Sequence, residues 1–321
     1  MPFVINADKP STWKSDVLAS VELYNEWFLE AAPSAYRDTR QVVVNDVENL
    51  FVATNDMRNI TPGVIRQCPE IVATLRMATA PPIARDRLTG LADLPYGLVK
   101  KLEEGKLPAR MKSLDLVHHL KNICVVIDEL LDTDLFDWLD ADDAPDTRQR
   151  ELAAVVVSDR RCGAVADPIV RNAQEARQLA VIEDWLTARG YVKRPHPGTL
   201  PLEAMPTGTF SFRQNVVVKS EDGTAKINMP IDAVIQPHTP SPSRFPLLVE
   251  AKSAGDFTNT NKRRKEEATK IRQLRSTYGP DIQLVLFLCG YFDAGYLGYE
   301  AAEGLDWVWE HRPDDFFHAG L

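Results

Sequence analysis

Long apolar runs are missing from this chain of 321 residues. A bilayer-spanning helix needs roughly 18–20 consecutive apolar residues, and the longest run, around Leu284-Val285-Leu286-Phe287-Leu288-Cys289, is far shorter. The first residues, Met1-Pro2-Phe3-Val4-Ile5-Asn6-Ala7-Asp8, lack a basic segment followed by a long apolar one, so no secretory signal is read there. Cysteine is scarce: Cys68, Cys124, Cys162 and Cys289 are far apart and make no Cys-x-x-Cys pair. That excludes a disulfide frame and a cysteine zinc site, and fits buried thiols in a reducing, cytoplasmic setting. No phosphate-binding Walker loop, Gly-x-Ser-x-Gly elbow or dinucleotide glycine fingerprint occurs, and no repeat. His118-His119 has no metal partner four residues further on, His196 sits between prolines, and His238, His311 and His318 are isolated.

What is present is an ordinary globular composition, 44% hydrophobic and 26% charged, with a net charge of -9. An acidic total argues against nucleic acid only if the charge is evenly spread. It is not. From Lys252 to Arg275 there are eight basic residues against three acids (Asp256, Glu266, Glu267), while the stretch from Asp128 to Asp146 is acidic.

The first part of the chain reads as helical. Trp13 to Leu29 carries Val17, Val21, Tyr24 and Phe28 near helical spacing, Ala35 to Asn55 suggests another helix, and Thr61-Pro62 is a start signal. Short helices follow, then a longer one over Met111–Leu131. Asp132–Asp146 reads as a connector, and lacks the glycine and glutamate that a calcium loop needs. A mixed pattern comes next: a helix over Pro168–Arg189, strands over Phe210–Lys219 and Ile227–Ile235 joined at an Asp222-Gly223 turn, and a proline-rich loop. A strand over Phe245–Lys252, a helix over Asn261–Tyr278 and a strand over Ile282–Cys289 complete it. Alternation puts Ile227, Met229, Ile231, Ala233 and Ile235 on one face of their strand. The expected division is a helical N-terminal domain over 1–146, with a possible role in DNA recognition, and an α/β domain over 147–321. Trp307, Trp309, Phe316 and Phe317 read as packing or dimer contacts.

The strongest functional signal is Glu250-Ala251-Lys252 at the end of an apolar strand, with Asp232 eighteen positions earlier on the preceding strand. Leu248, Glu250 and Lys252 fall on one strand face, so Glu250 and Lys252 can converge beside Asp232. Two carboxylates at neighbouring strand ends suit Mg²⁺, which prefers hard oxygen ligands. A lysine there can orient the attacking water or neutralise a phosphate. Glu175 is the candidate helix carboxylate, on a face with Leu179, Ile182 and Leu186, and Glu183 is the alternative. The bland alternative is an Asp232–Lys252 pair at a sheet edge. A second Glu-x-Lys, Glu104-Gly105-Lys106, has no strand around it.

Asp232 with Glu250-Ala251-Lys252 resembles the PD-(D/E)xK nuclease pattern, although Ile231 separates Asp232 from Pro230, where the pattern usually has proline directly before the aspartate. The chain as a whole resembles the XamI family of type II restriction endonucleases. The likeness runs through Trp13-Lys14-Ser15-Asp16, Tyr24-Asn25-Glu26-Trp27-Phe28, Pro81-Pro82-Ile83-Ala84-Arg85-Asp86-Arg87-Leu88 and Glu250-Ala251-Lys252-Ser253-Ala254-Gly255-Asp256-Phe257. It implies a restriction-endonuclease-like core, a mixed sheet flanked by helices. It also implies Mg²⁺-dependent cleavage of double-stranded DNA at a short palindrome by a homodimer, with a companion DNA methyltransferase in the same system. Asp232, Glu250, Lys252 and Glu175 would be catalytic, with Asp232 and Glu250 holding the metal. Asn259, Asn261, Lys262, Arg263, Arg264 and Lys265, at the start of a helix, are candidate DNA contacts. Arg85 and Arg87 are a second candidate pair for DNA, with a structural salt bridge as the competing role. A repair or mobile-element nuclease of the same fold, and a non-catalytic DNA-binding protein, are the rival readings.

Overall fold

The computed structural model describes residues 4–141, 144–196, 201–220, 223–239, 245–258 and 260–321, with only the backbone for 260–264. Among them lie nine α-helices: α1 (Pro10–Thr54), α2 (Pro62–Gln67), α3 (Val72–Leu75), α4 (Arg85–Leu91), α5 (Leu98–Glu103), α6 (Ser113–Leu130), α7 (Thr147–Thr187), α8 (Thr260–Tyr278) and α9 (Ala294–Ala302). The strands are β1 (Val192–Lys193), β2 (Thr209–Lys219), β3 (Lys226–Gln236), β4 (Leu247–Ala254), β5 (Leu284–Gly290) and β6 (Asp306–Trp309). By packing, the chain divides into two compact units, residues 32–170 and residues 1–31 with 171–321.

The first unit is helical. Its core joins Leu50 and Phe51 of α1, Ile65 of α2, Leu75 of α3 and Leu120, Ile123 and Ile127 of α6, with Phe136 and Trp138 closing one side. Thr61 caps α2 as its sequence suggests, its hydroxyl accepting the Val64 N–H at 3.4 Å, with Pro62 in the first turn.

The second unit is built on a six-stranded mixed sheet in the order β1-β2-β3-β4-β5-β6. β3 runs antiparallel to both β2 and β4, β1 pairs parallel with β2, and β4, β5 and β6 run parallel to one another. Leu179, Ile182, Trp185 and Leu186 of α7 cover one face, against Phe210, Ala233, Ile235, Leu247, Val249 and Phe287. Ile271 and Leu274 of α8 cover the other, against Val216, Val218, Met229, Ile231, Val234 and Leu248. The sheet is therefore wrapped on both faces, and β5 is buried along its whole length.

Three details differ from the sequence reading. α1 is one continuous helix through Pro33, and α7 runs through Pro168 instead of starting there. Proline removes one helical hydrogen bond, but apolar anchors on both sides of each proline are already helical. β1, α9 and β6 are additional: β1 has two residues, α9 contains Gly295 and Gly298, and β6 is the short aromatic run Asp306-Trp307-Val308-Trp309. Trp307, Trp309 and Phe316 are fully buried packing residues, whereas Phe317 is 54% exposed.

The third difference matters for function. Met229 and Ile231 pack on the α8 side of the sheet, Ala233 and Ile235 on the α7 side, and Ile227 is largely exposed. The single face expected for these residues is split. β2 switches in the same way, from Phe210 on the α7 side to Val216 and Val218 on the α8 side. The cause is local. Arg213 has φ +50, a left-handed backbone that breaks the period-two alternation. The register runs on from Phe212↔Ala233 to Gln214↔Ile231, so Arg213 stands opposite Asp232, yet that pair drops out of the ladder.

The N-terminal residues are tied to the far edge of the sheet. Asp306 accepts the backbone N–H of Ile5 (2.6 Å) and Asn6 (2.8 Å), and the Asn6 side chain donates to Trp307 O and Asp315. Gly290 ends β5 at φ +100. A Cβ there would lie 2.1 Å from Ala254 O, so only glycine permits the close end of β4 and β5.

Candidate active site

The β3–β4 ladder runs from Ile235↔Leu247 to Ala233↔Val249 and stops. Continuing the register sets Asp232 opposite Glu250. Where the ladder ends, the Asp232 carboxylate takes its place, accepting the Ala251 N–H at 2.9 Å. Asp232 thus occupies a break in the sheet, unpaired in the ladder to Arg213 on one side and to Glu250 on the other. A strand interior becomes a place where side chains meet.

Glu250 is buried, and it points to the α8 side with Leu248, as its alternation requires. One of its oxygens, Oε1, accepts from Lys252 Nζ at 3.1 Å and from Lys270 Nζ of α8. The other, Oε2, is buried with no hydrogen-bond partner among the described residues. Lys270 also reaches the Pro230 carbonyl at 3.3 Å. Lys252 continues to a second buried acid, Glu267 of α8, 3.6 Å from Oε1. The phenol of Tyr296 donates to the other Glu267 oxygen at 3.0 Å. Burial raises the Glu267 pKa, and the Lys252 ammonium, Tyr296 and Glu300 offset part of that.

The electrostatics follow from burial. Asp232 is pushed up to about 6, first by desolvation and then by the Glu250 carboxylate, with the Ala251 N–H and the two lysines pulling the other way. For Lys252, burial alone would depress the ammonium; Glu250, Glu267 and Asp232 outweigh it and hold the pKa above its ordinary value. Lysine here is a cation.

These groups open onto a cleft of about 300 Å³. Its walls are Asp232 of β3, Glu250, Ala251, Lys252 and Ser253 of β4, Glu266 of α8, and Arg171, Gln174, Glu175 and Gln178 of α7. Glu175 lies in the cleft wall and pairs with Arg213 at 2.9 Å. Glu183, roughly two turns further along α7, pairs with Lys193 at 2.7 Å. Gln178 donates to the carbonyls of Lys252 (3.2 Å) and Phe287 (3.1 Å), bracing the end of β4 against β5. Lys270, Glu267 and Gln178 escaped the sequence reading: the face that singled out Glu175 on α7 did not include Gln178, and in the strongly charged α8 many polar residues compete for the sheet-facing positions.

Comparison with known proteins gives the arrangement its family: residues 55–309 match the XamI restriction endonuclease family. The chain belongs to that family. It is 63% identical over 317 residues to the type II restriction enzyme SalI of Streptomyces albus G, covering 99% of this chain and all of that one. Among solved structures, protein VC1899 from Vibrio cholerae aligns with a TM-score of 0.29 and 11% identity. The alignment covers 89% of this chain and 56% of that one, a likeness too weak to bear on the fold.

Of this family member's candidate DNA contacts, Lys265 is exposed on α8. Asn259, and the side chains of Asn261, Lys262, Arg263 and Arg264, lie outside the described residues, as does Asp222 of the expected turn. Arg85 makes an ion pair with Glu103, which also holds Arg76 at 2.7 Å. Arg87 is exposed on the same short helix.

Proposed function

We propose that the protein is a type II restriction endonuclease that hydrolyses double-stranded DNA at a short palindromic site, leaving 5'-phosphate and 3'-hydroxyl ends. The observation that carries the chemistry is the break at Asp232, which brings Asp232, Glu250 and Lys252 to one cleft. The unit of residues 1–31 and 171–321 is read as a restriction-endonuclease-like nuclease body, and the helical unit as assisting DNA recognition. A homodimer suits a palindrome by symmetry, and a companion methyltransferase would protect the host's own sites.

The donor set fits Mg²⁺. Glu250 Oε2 is a buried carboxylate oxygen without a hydrogen-bond partner among the described residues, and Asp232 lies close enough to feel the Glu250 charge. No third His, Cys, Asp or Glu joins them among the described residues. This suits an ion that commonly takes one or two carboxylates and completes its shell with water and phosphate. Held by Asp232 and Glu250, Mg²⁺ would supply a lowered pKa for the attacking water and positive charge beside the scissile phosphate. Lys252, fixed between Glu250 and Glu267, can donate an N–H hydrogen bond to the water oxygen, orienting it, or to a non-bridging phosphate oxygen. Glu175 faces the same cleft from α7 and can accept a proton from the water once Arg213 lets it go.

Long unmethylated DNA incubated with Mg²⁺ and with EDTA tests this reading. Discrete fragments with Mg²⁺ alone, lost in Asp232→Ala, are expected. A smear would make it a nuclease without site preference. Retention of DNA without cleavage would leave a binding protein.

A further inference from the structure

Arg213 is the most strained side-chain-bearing position beside the cleft. Its φ of +50 belongs to glycine and asparagine, whose side chains tolerate the left-handed region. Arginine gains nothing there from its backbone. It gains little from packing either, since 63% of its side chain is exposed. An outlier of this kind in a strand interior, opposite Asp232, calls for a use of the side chain.

The guanidinium is held by both Nε (3.0 Å) and Nη2 (2.9 Å) on one oxygen of Glu175, which is itself 39% exposed. Exposed ion pairs of this kind are weak and exchange readily. The planar guanidinium fork matches phosphate at least as well as carboxylate. The cleft carries Asp232, Glu250, Glu175 and Glu266, while Lys252 and Lys270 are engaged by buried glutamates. A polyanion entering it needs exposed cations nearby. Arg213, paired with the cleft-wall residue Glu175, supplies one beside the cleft, and Arg171, one turn before Glu175 on α7, lines the cleft itself.

We propose that Arg213 is a DNA-phosphate contact, held on Glu175 in the free protein and transferred to a backbone phosphate when DNA enters. The exchange frees the Glu175 carboxylate for the cleft, so substrate binding completes the site. The left-handed residue carries the side chain that pairs with Glu175 and stands where β2 and β3 switch between the two sheet faces. This rests on the nuclease reading above.

The test uses the full-length protein and a duplex carrying a site mapped from wild-type fragments. Binding is measured in EDTA across a range of salt for wild type, Arg213→Ala, Arg213→Lys and Arg213→Gly. Loss of one phosphate contact lowers the slope of log K against log salt by about 1. That drop is expected for Arg213→Ala and Arg213→Gly, with affinity about tenfold weaker at moderate salt, while Arg213→Lys keeps the slope. Arg213→Gly relieves the backbone, so its Tm rises as its affinity falls, opposite signs that a structural role would not produce. Wild-type cleavage with an unchanged slope in both truncations overturns the proposal for Arg213 alone. Wild type that neither cuts nor binds DNA overturns the nuclease reading instead.

Discussion

The ammonium of Lys252 lies 3.6 Å from Oε1 of Glu267, a fully buried carboxylate on α8 that no motif names. Tyr296 donates to its other oxygen. The lysine that would face the phosphate is thus oriented from behind.

Glu267 should therefore act on turnover through Lys252. In Glu267→Gln, the Tyr296 contact and the volume are kept, but the negative charge is lost. Cleavage turnover is expected to fall about 10–100-fold, the range typical of supporting residues around a metal site, with KM for DNA nearly unchanged. Single-turnover kinetics with a binding isotherm in EDTA would separate the two; a matching loss of affinity would show that Glu267 serves DNA binding.

Asp232 gives a pH signature. Its folded pKa, about 6, stands above the unfolded value of 3.8, so the fold favours its protonated form. The ionised group costs stability fully above about pH 6, and that cost fades as pH falls toward the unfolded value. In metal-free protein, Asp232→Asn should raise stability by about 1–2 kcal/mol at pH 8 and by almost nothing near pH 4. Asparagine can still accept the Ala251 N–H. With Mg²⁺ the order should invert, because the wild type alone gains from the ion. Thermal unfolding at both pH values, with EDTA and with Mg²⁺, checks this. An equal effect at both pH values in EDTA would mean that Asp232 is not the group held neutral.

Lys270 competes with any cation for Glu250. Lys270→Met should lower the Tm of the metal-free protein, since the buried Glu250 loses one of two cations, a cost on the order of 1–3 kcal/mol. The Mg²⁺-induced rise in Tm should be larger than in wild type, as ligand linkage requires when the intrinsic affinity improves. If Mg²⁺ stabilises the variant less than wild type, Lys270 supports the metal site instead of competing with it.

Much of the second unit was legible in the chain. β2, β3, β4, α8 and β5 fall where apolar runs and turn residues placed them, because each is an uninterrupted apolar or amphipathic segment bounded by breakers. Glu250 and Lys252 share a face because period two is a local property of an extended chain. The alternation argument failed for β3, where it predicted one face for Met229, Ile231, Ala233 and Ile235. A single left-handed residue on the neighbouring strand undoes it, and Arg213 carries no turn signal of its own. The continuous α1 and α7 were hidden by Pro33 and Pro168, which mark helix ends by propensity but here lie inside unbroken helices.

The sequence by itself determined the chemistry on offer: an acid on one strand, an acid and a lysine on the next, a basic segment after them, and the family likeness these carry. Those are covalent spacings and local periods, and they survive without a partner. Only the tertiary structure decided what surrounds them. Lys270 and Glu267 reach the site because α8 packs its inner face on the sheet. Glu175 meets Arg213 because α7 lies over the other face, and Asp232 is free to point into the cleft because the ladder breaks there. Each of these depends on residues distant in the chain being pressed together by burial of the two apolar faces, which no local pattern encodes.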